Sequence, residues 1–217
     1  MEAQRTKCLR CGQCCLKSSP TLQQEDIILV EQGFIALKDL FTIRQGELAA
    51  DPIKGGPVII GKELVKIREK KNGGCVFYEE DTHSCAIYRN RPTQCEALKC
   101  WDTDDFMKVF SRPKADRKGI LKDPELLELI DEHEKRCGLK RLEGIVRSIE
   151  KDGERAVEDI IQILRFDLAL RPNTARTFKL EAGELDFVLG RPLIETITMF
   201  GLRVKKEANG SFLLTSL

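Results

Sequence analysis

Eight of the nine cysteines fall into two short blocks, and their spacing is the strongest chemical signal in the 217-residue chain. The blocks are Cys8, Cys11, Cys14 and Cys15, then Cys75, Cys85, Cys95 and Cys100. Thiolates are soft anionic ligands for zinc, iron and iron–sulfur clusters. An odd cysteine count without an apolar export signal disfavours a secreted disulfide scaffold. We therefore predict that all eight cysteines bind metal.

The first block is compact enough to surround a metal ion. Cys8, Cys11 and Cys14 are separated by two residues each, and Gly12 allows the backbone to turn between them. The run is similar to the opening of the bacterial ferredoxin motif, but the next cysteine is adjacent, at Cys15, and no proline follows. Because neighbouring side chains generally diverge, we do not expect Cys14 and Cys15 to be simple terminal ligands of one tetrahedral ion. Either could serve a second centre, bridge two metals or stay unligated.

The second block supplies the ligands that the first block lacks. Residues 8–15 do not comfortably build a closed four-thiolate site, so Cys75, Cys85, Cys95 and Cys100 are expected to complete it. This arrangement ties the N-terminus to a remote segment. Metal also offsets the negative charge of eight thiolates, and we therefore predict that metal binding contributes directly to folding of the first half.

Short elements must bring the two blocks together. Thr21 and Gln24 have capping-box spacing, which predicts a helix over about 22–32. Strands are predicted at 64–69, at 75–78 and from Cys85, so that Cys75 and Cys85 flank a hairpin. A helical turn that opens at Arg91 and Pro92 is expected to carry Cys95, with Cys100 one or two turns later.

The second half reads as mainly helical. Asp123 followed by Pro124 predicts a helix start, and apolar stripes at helical spacing continue to about Leu168. A later helix is expected to end near Gly201, followed by a terminal hairpin that turns at Asn209 and Gly210. The predicted fold class is α+β. A cysteine-rich metal-binding domain with short hairpins and helices spans 1–117, and a helical region with a terminal hairpin spans 118–217, either as a second domain or as part of the same fold.

Five other residues are candidates for a role at or beside the site. Tyr78 and Tyr88 are expected to form apolar walls that exclude water from it. His83 is interpreted as a solvated turn residue and His133 as a surface residue of a helix. Cys137 is predicted to be a small apolar residue in the last turn of a helix. Neither histidine has an assigned nucleophile, so no catalytic residue is predicted.

The two cysteine blocks carry a family resemblance. The run from Cys8 to Cys15 resembles the signature of the YkgJ-type cysteine-cluster family of zinc- or iron-chelating proteins. The segments 74–78, 85–88 and 91–95 are similar to that family too, so the resemblance covers roughly 8–100. It implies that the protein chelates zinc or iron, and that the iron could be part of an iron–sulfur cluster. Flagellin lysine methylases share a similar cluster, which implies a methyl-transfer or redox role for some relatives.

The composition argues against several partners. A net charge of +1 gives no global reason to expect nucleic acid or a membrane surface. No apolar run approaches the length of a membrane span, and the chain start lacks the apolar stretch of a signal peptide. We therefore expect a cytoplasmic protein whose partners are metal ions, with no membrane, no nucleic acid, and no protein partner or substrate identified.

Three functions fit these observations. The leading prediction is a metal-binding protein with a structural or redox role. Hydrolysis requires a coordination position that is open to water or substrate, and a site filled by thiolates has none. The second is an enzyme, an oxidoreductase or radical-type methyltransferase that uses an iron–sulfur cluster. The third is an interaction module in which the metal only staples the fold.

Overall fold

A computed structural model of the chain describes Cys8, residues 11–206 and residues 212–217. Within these ranges the helices are α1 (Gln13–Lys17), α2 (Ile27–Glu31), α3 (Thr93–Ala97), α4 (Asp104–Phe110), α5 (Arg117–Ile120), α6 (Pro124–Cys137), α7 (Leu139–Arg147), α8 (Ile149–Asp152), α9 (Glu154–Thr177), α10 (Leu185–Val188) and α11 (Leu193–Thr196). The strands are β1 (Leu40–Ile43), β2 (Leu48–Ala50), β3 (Pro57–Ile59), β4 (Leu64–Ile67), β5 (Tyr78–Glu79), β6 (Ser84–Cys85), β7 (Leu202–Lys206) and β8 (Phe212–Ser216). This mixture of helices and short strand pairs confirms the α+β prediction.

The chain divides into two compact units. Unit 1 contains the residues up to Phe41 and Leu64–Ile120, and unit 2 contains Thr42–Glu63 and Leu121–Leu217. The excursion over 42–63 therefore belongs to unit 2, which no pattern in the sequence indicated. Whether 1–117 and 118–217 fold independently stays a prediction.

An extended segment, rather than a helix, follows the first cysteine block in unit 1. Its backbone bonds to β4, where Leu22 N donates to Val65 O at 2.9 Å and Ile67 N donates to Pro20 O at 3.0 Å. On its other side, Ala115 N donates to Leu22 O at 3.0 Å. These bonds on both sides keep residue 22 out of a helix.

The helix predicted over 22–32 is consequently shorter than expected. A single 3-10 turn, Gln24–Asp26, precedes α2, and the capping contact is Gln23 N to Asp26 Oδ2 at 2.7 Å. The predicted capping box of Thr21 and Gln24 is therefore wrong by two residues. The predicted stop at Gly33 agrees with its left-handed φ of 76°, a conformation that favours glycine.

The predicted hairpin is present but shorter than the sequence suggested. Strand β5 pairs antiparallel with β6, and Tyr78 lies opposite Cys85. Cys75 precedes β5 and forms an isolated antiparallel bridge with Glu69 instead of beginning a strand. The predicted strand over 75–78 is therefore reduced to its last residue, while the predicted helical turn carrying Cys95 is confirmed as α3.

Unit 2 is built mainly of helices, as predicted. Asp123 caps α6, because its Oδ1 accepts from Glu125 N at 2.9 Å and from Leu126 N at 3.2 Å. Strands β7 and β8 form the predicted terminal hairpin, with Val204 opposite Leu214. The predicted turn at Asn209 and Gly210 lies outside the described residues.

The core of unit 2 forms between α6, α7, α9 and α11. Its buried members are Cys137, Leu139, Leu142, Ile160, Ile163, Leu164, Leu193 and Ile197. Cys137 ends α6 and is fully buried, which confirms its prediction as an apolar core residue.

His133 is buried, so its interpretation as a surface residue is wrong. Its exposed fraction is 0%, and its Nε2 lies 2.8 Å from Asp167 Oδ1. Arg171 and the backbone of Leu193 donate to the same carboxylate. The acidic neighbours of His133 in the sequence suggested solvent, but the fourth turn of α9 provides the buried partner.

None of the helices that the structure describes combines the length and the apolar character that a bilayer crossing requires.

Candidate metal centre

The eight candidate ligands lie on several short elements of unit 1. Cys8 and Cys11 precede α1, and Cys14 and Cys15 lie within it. The second block places Cys75 before β5, Cys85 in β6 and Cys95 in α3. Cys100 lies in the turn between Lys99 and Asp102, which form an isolated bridge.

A backbone contact joins the two blocks directly. Cys75 N donates to Cys15 O at 2.7 Å. Gly74 lies beside the same segment, because a Cβ there would be in ordinary van der Waals contact with Cys15 O, at 3.4 Å, and with the Leu16 Cα, at 3.5 Å. The prediction that two remote segments meet is therefore supported by a main-chain bond.

The helix that carries Cys95 is held by residues that the sequence analysis missed. Asp26 Oδ1 accepts from Thr93 N at 2.8 Å and from Thr93 Oγ1 at 2.6 Å, which caps the first turn of α3. Gln94 Oε1 accepts from Thr21 N at 3.0 Å. Asp26 and Gln94 are both buried polar side chains. Nothing in the local sequence indicates that Asp26 caps a helix that begins 67 residues later.

Five thiols form one electrostatic group, which we call the inner thiols: Cys14, Cys15, Cys75, Cys85 and Cys95. Burial raises the pKa of Cys95, and negative charge on Cys75, Cys85 and Cys14 raises it further. Burial also raises the pKa of Cys75, and negative charge on Cys85 raises it further. Burial raises the pKa of Cys85 in the same way, and negative charge on Cys14 adds to that effect. Cys75, Cys85 and Cys95 are therefore each close enough to another thiol of the group for its charge to oppose their ionisation. A bound cation would relieve that opposition.

Cys14 and Cys15 differ from the prediction for adjacent thiols. Their Sγ atoms lie 4.0 Å apart, so the two side chains converge. In a tetrahedral site with zinc–sulfur bonds of 2.3 Å, two sulfur ligands are about 3.8 Å apart. The expectation that adjacent side chains diverge is thus wrong here.

The two thiols of the pair ionise unequally. The hydrogen bond with Cys15 lowers the pKa of Cys14 to about 6, and the same bond raises the pKa of Cys15. Adjacent Cα atoms are only about 3.8 Å apart, which is shorter than the span of an ordinary disulfide. The pair therefore suits chelation better than disulfide formation.

The remaining candidate ligands lie at the surface. Cys8, Cys11 and Cys100 are exposed, as is Cys14. Cys11 is nevertheless close to the group, because its charge contributes to the raised pKa of Tyr78, after burial and the charge of Cys15.

The aromatic residues predicted to wall the site behave differently from each other. Tyr78 has an exposed fraction of 3% and its Oη lies 3.3 Å from His83 Nδ1. Tyr88 is exposed, with the guanidinium of Arg91 4.3 Å from its ring centre. His83 is exposed in a turn with a φ of 49°, as its interpretation as a solvated turn residue requires. Tyr78 is therefore the buried wall.

The donor set suits a soft metal, but the side chains do not yet enclose one. Across Cys8, residues 11–206 and residues 212–217, no three Cys, His, Asp or Glu side chains are already arranged to hold a metal ion. Sulfur donors gathered from two segments fit zinc or iron chemically. Binding would have to draw the thiols closer together, which couples metal uptake to folding of unit 1.

The fold and its grouped thiols define a cysteine-rich module of the metal-chelating class. Residues 7–114 match the family model CxxCxxCC, described as "Putative zinc- or iron-chelating domain". The chain belongs to this family, and the match confirms the resemblance inferred from its cysteine blocks. No curated protein and no solved structure matches the chain.

Proposed function

We propose that unit 1 chelates zinc or iron through the thiolates of its two cysteine blocks, with a structural or redox role. The ligands would be drawn from Cys8, Cys11, Cys14, Cys15, Cys75, Cys85, Cys95 and Cys100. The inner thiols have the strongest support among these. Iron could be held as an iron–sulfur cluster, which also uses cysteine thiolates.

The observation that carries this proposal is the mutual electrostatic effect of thiols from both blocks. The pKa of Cys15 is raised by its hydrogen bond with Cys14 and by burial, and then by the charges of Cys95 and Cys75. Gathering several thiols without a cation opposes their ionisation, whereas a cation converts the same grouping into a stable thiolate site. Metal chelation therefore gives this costly arrangement a physical reason.

The chemistry of the cysteines also supports a reducing compartment such as the cytoplasm. All nine cysteines are free thiols in the structure. Persistent thiols near one another are typical of compartments in which disulfides are kept reduced.

Anaerobic purification followed by elemental analysis and a visible spectrum tests the proposal. A colourless protein with stoichiometric zinc supports a structural ion. A brown protein that contains iron and acid-labile sulfide and bleaches in air supports an iron–sulfur cluster. A stably folded protein without any transition metal contradicts chelation.

A redox or radical-type methyltransferase is the second candidate, and the exposure of Cys11 and Cys14 favours it. A cluster with exposed ligands is more accessible to electrons and cosubstrates than one enclosed by protein. Reversible reduction of the purified protein, together with turnover of a methyl donor, distinguishes this function from a structural one. A metal that stays bound without redox change or turnover contradicts it.

A further inference from the structure

The side chain of Tyr78 lies directly against the loop of the first cysteine block. A Cβ built on Gly12 would lie 1.8 Å from Tyr78 Oη and 2.1 Å from Cζ, so the phenol occupies the space that any larger residue would need. Gly12 also has a left-handed φ of 72° and is buried. Gly12 is thus needed for two reasons, its conformation and its contact with the ring.

Hydrogen bonds within and around the β5–β6 hairpin hold the backbone of Tyr78 in place. Tyr78 lies opposite Cys85 in the β5–β6 pair, and its N donates to Cys75 O at 3.1 Å. Its carbonyl accepts from Lys70 Nζ at 2.5 Å. The ring therefore projects from a strand that is anchored beside two ligands of the second block.

The phenol of Tyr78 is also within electrostatic reach of the first block. Burial raises the pKa of Tyr78, and the charges of Cys15, Cys11 and Cys14 raise it further. One side chain thus contacts the cysteine loop, extends from the hairpin and lies within the electrostatic reach of three candidate ligands.

We infer that Tyr78 is a positioning residue that seats the Cys11–Cys15 loop on the hairpin, with Gly12 as its complementary surface, so that thiols of both blocks can close on one metal. This inference rests on the proposed chelation. The phenol performs the seating by contact with Gly12, and two of its three nearest atoms, Cζ and Cε2, belong to the ring that phenylalanine would retain. The hydroxyl lies against Gly12 as well and also contacts His83.

Zinc affinity of the reduced full-length protein, measured under argon by competition with a chromophoric chelator, tests the inference. Loss of residues that orient metal ligands typically weakens affinity 10–100-fold. We expect a loss of roughly that size for Tyr78→Ala and for Gly12→Ala, and near wild-type affinity for Tyr78→Phe, which keeps the ring.

Gly33→Ala is the matched control for Gly12→Ala. Gly33 has a similar φ of 76°, but a Cβ there has no atom within 4 Å. The control therefore introduces the backbone strain without the clash, and zinc affinity should stay at the wild-type value.

The double variant Gly12→Ala/Tyr78→Ala separates seating from general damage. Removing the ring makes room for the new Cβ, so the double variant should bind zinc no more weakly than Tyr78→Ala alone. Gly12→Ala/Tyr78→Phe keeps Cζ in place and should stay as weak as Gly12→Ala. Circular dichroism of the metal-free variants checks that unit 2 remains helical in each.

The outcomes distinguish the inference from the proposed function. A wild-type protein that does not bind zinc or iron contradicts chelation itself. A wild-type protein that binds zinc, with Tyr78→Ala equally tight or with fully additive losses in the double variant, overturns the seating role alone.

Discussion

The adjacent thiols of Cys14 and Cys15 are spaced much as two sulfur ligands of one metal ion would be. A separation of 4.0 Å between their Sγ atoms is near the edge of a tetrahedral thiolate site. The lowered pKa of Cys14, caused by the hydrogen bond with Cys15, means that one thiolate is available near neutral pH. In the proposed site this pair would supply two neighbouring sulfur ligands.

Substitution of an inner thiol should reduce metal content. Cys95→Ser removes a candidate ligand that lies within the electrostatic reach of Cys75, Cys85 and Cys14, so we expect the metal per chain to fall well below that of the wild type. Elemental analysis after anaerobic purification measures this effect.

Cys137→Ser is the matched control, because Cys137 is fully buried in the core of unit 2 and burial raises its pKa to about 12. Its metal content should equal that of the wild type. Equal losses in both variants would argue that metal is lost through general instability.

Burial of His133 should make unit 2 less stable in mild acid. Desolvation lowers the pKa of His133 below its usual value of 6.5, despite its bond to Asp167. Below about pH 6.5 the unfolded chain therefore binds a proton that the folded chain does not, and stability falls by at most about 1.4 kcal/mol per pH unit. Urea unfolding followed by far-ultraviolet circular dichroism, with a chelator present throughout, measures this slope between about pH 7 and pH 5.5.

The variant His133→Gln keeps a donor for Asp167 but cannot titrate, so its unfolding free energy should depend less on pH. His83→Gln is the control, since this exposed side chain belongs to unit 1 and not to the core of unit 2. An unchanged slope in His133→Gln would contradict the assignment of the acid sensitivity to this residue.

At the scale of elements, α3 depends on a cap from a distant part of the chain. The buried carboxylate of Asp26 accepts from Gln23 N, Thr93 N and Thr93 Oγ1. Asp26→Ala leaves these donors unpaired, which should lower the free energy of unfolding by about 2 kcal/mol. Zinc affinity should fall as well, because α3 carries Cys95. Denaturant unfolding and zinc competition measure the two effects.

Asp39→Ala is the comparison, because Asp39 also accepts a backbone hydrogen bond three residues away but does so in an exposed turn. Asp39 Oδ2 accepts from Ala36 N at 3.1 Å in an exposed 3-10 turn, and this is one donor where Asp26 has three. It should cost less stability and leave zinc affinity unchanged. Similar effects for the two aspartates would show that α3 is not specifically anchored by Asp26.

The elements that the sequence predicted well are those with local signals. Asp123 and Pro124 mark the start of α6, and Gly33 and Gly201 both adopt the left-handed conformation at the predicted ends. The failures have long-range causes. Residue 22 is held extended by backbone bonds to Val65 and Ala115, and His133 is buried by a partner 34 residues away.

The candidate site shows the same division. Cysteine spacing predicted that the two blocks meet, but it could not predict that the Sγ atoms of Cys14 and Cys15 lie 4.0 Å apart. It also could not reveal Asp26 or the close contact of Gly12 with Tyr78, since both depend on side chains far away in the sequence.

At the scale of the whole molecule, metal removal should affect the two units differently. Every candidate ligand belongs to unit 1, whereas unit 2 has its own buried core. A chelator should therefore increase amide hydrogen exchange in Leu64–Ile120 and leave exchange in α6 and α9 close to its original rate. Mass spectrometry of peptides from both units measures this, and uniform acceleration across the chain would contradict it.

The discontinuous path of the chain has a consequence for biosynthesis. All eight candidate ligands precede Leu121, where the long second stretch of unit 2 begins, while the excursion over 42–63 emerges before the second cysteine block. A nascent polypeptide on the ribosome would therefore present its complete set of sulfur donors while that early excursion still awaited the helices synthesised last.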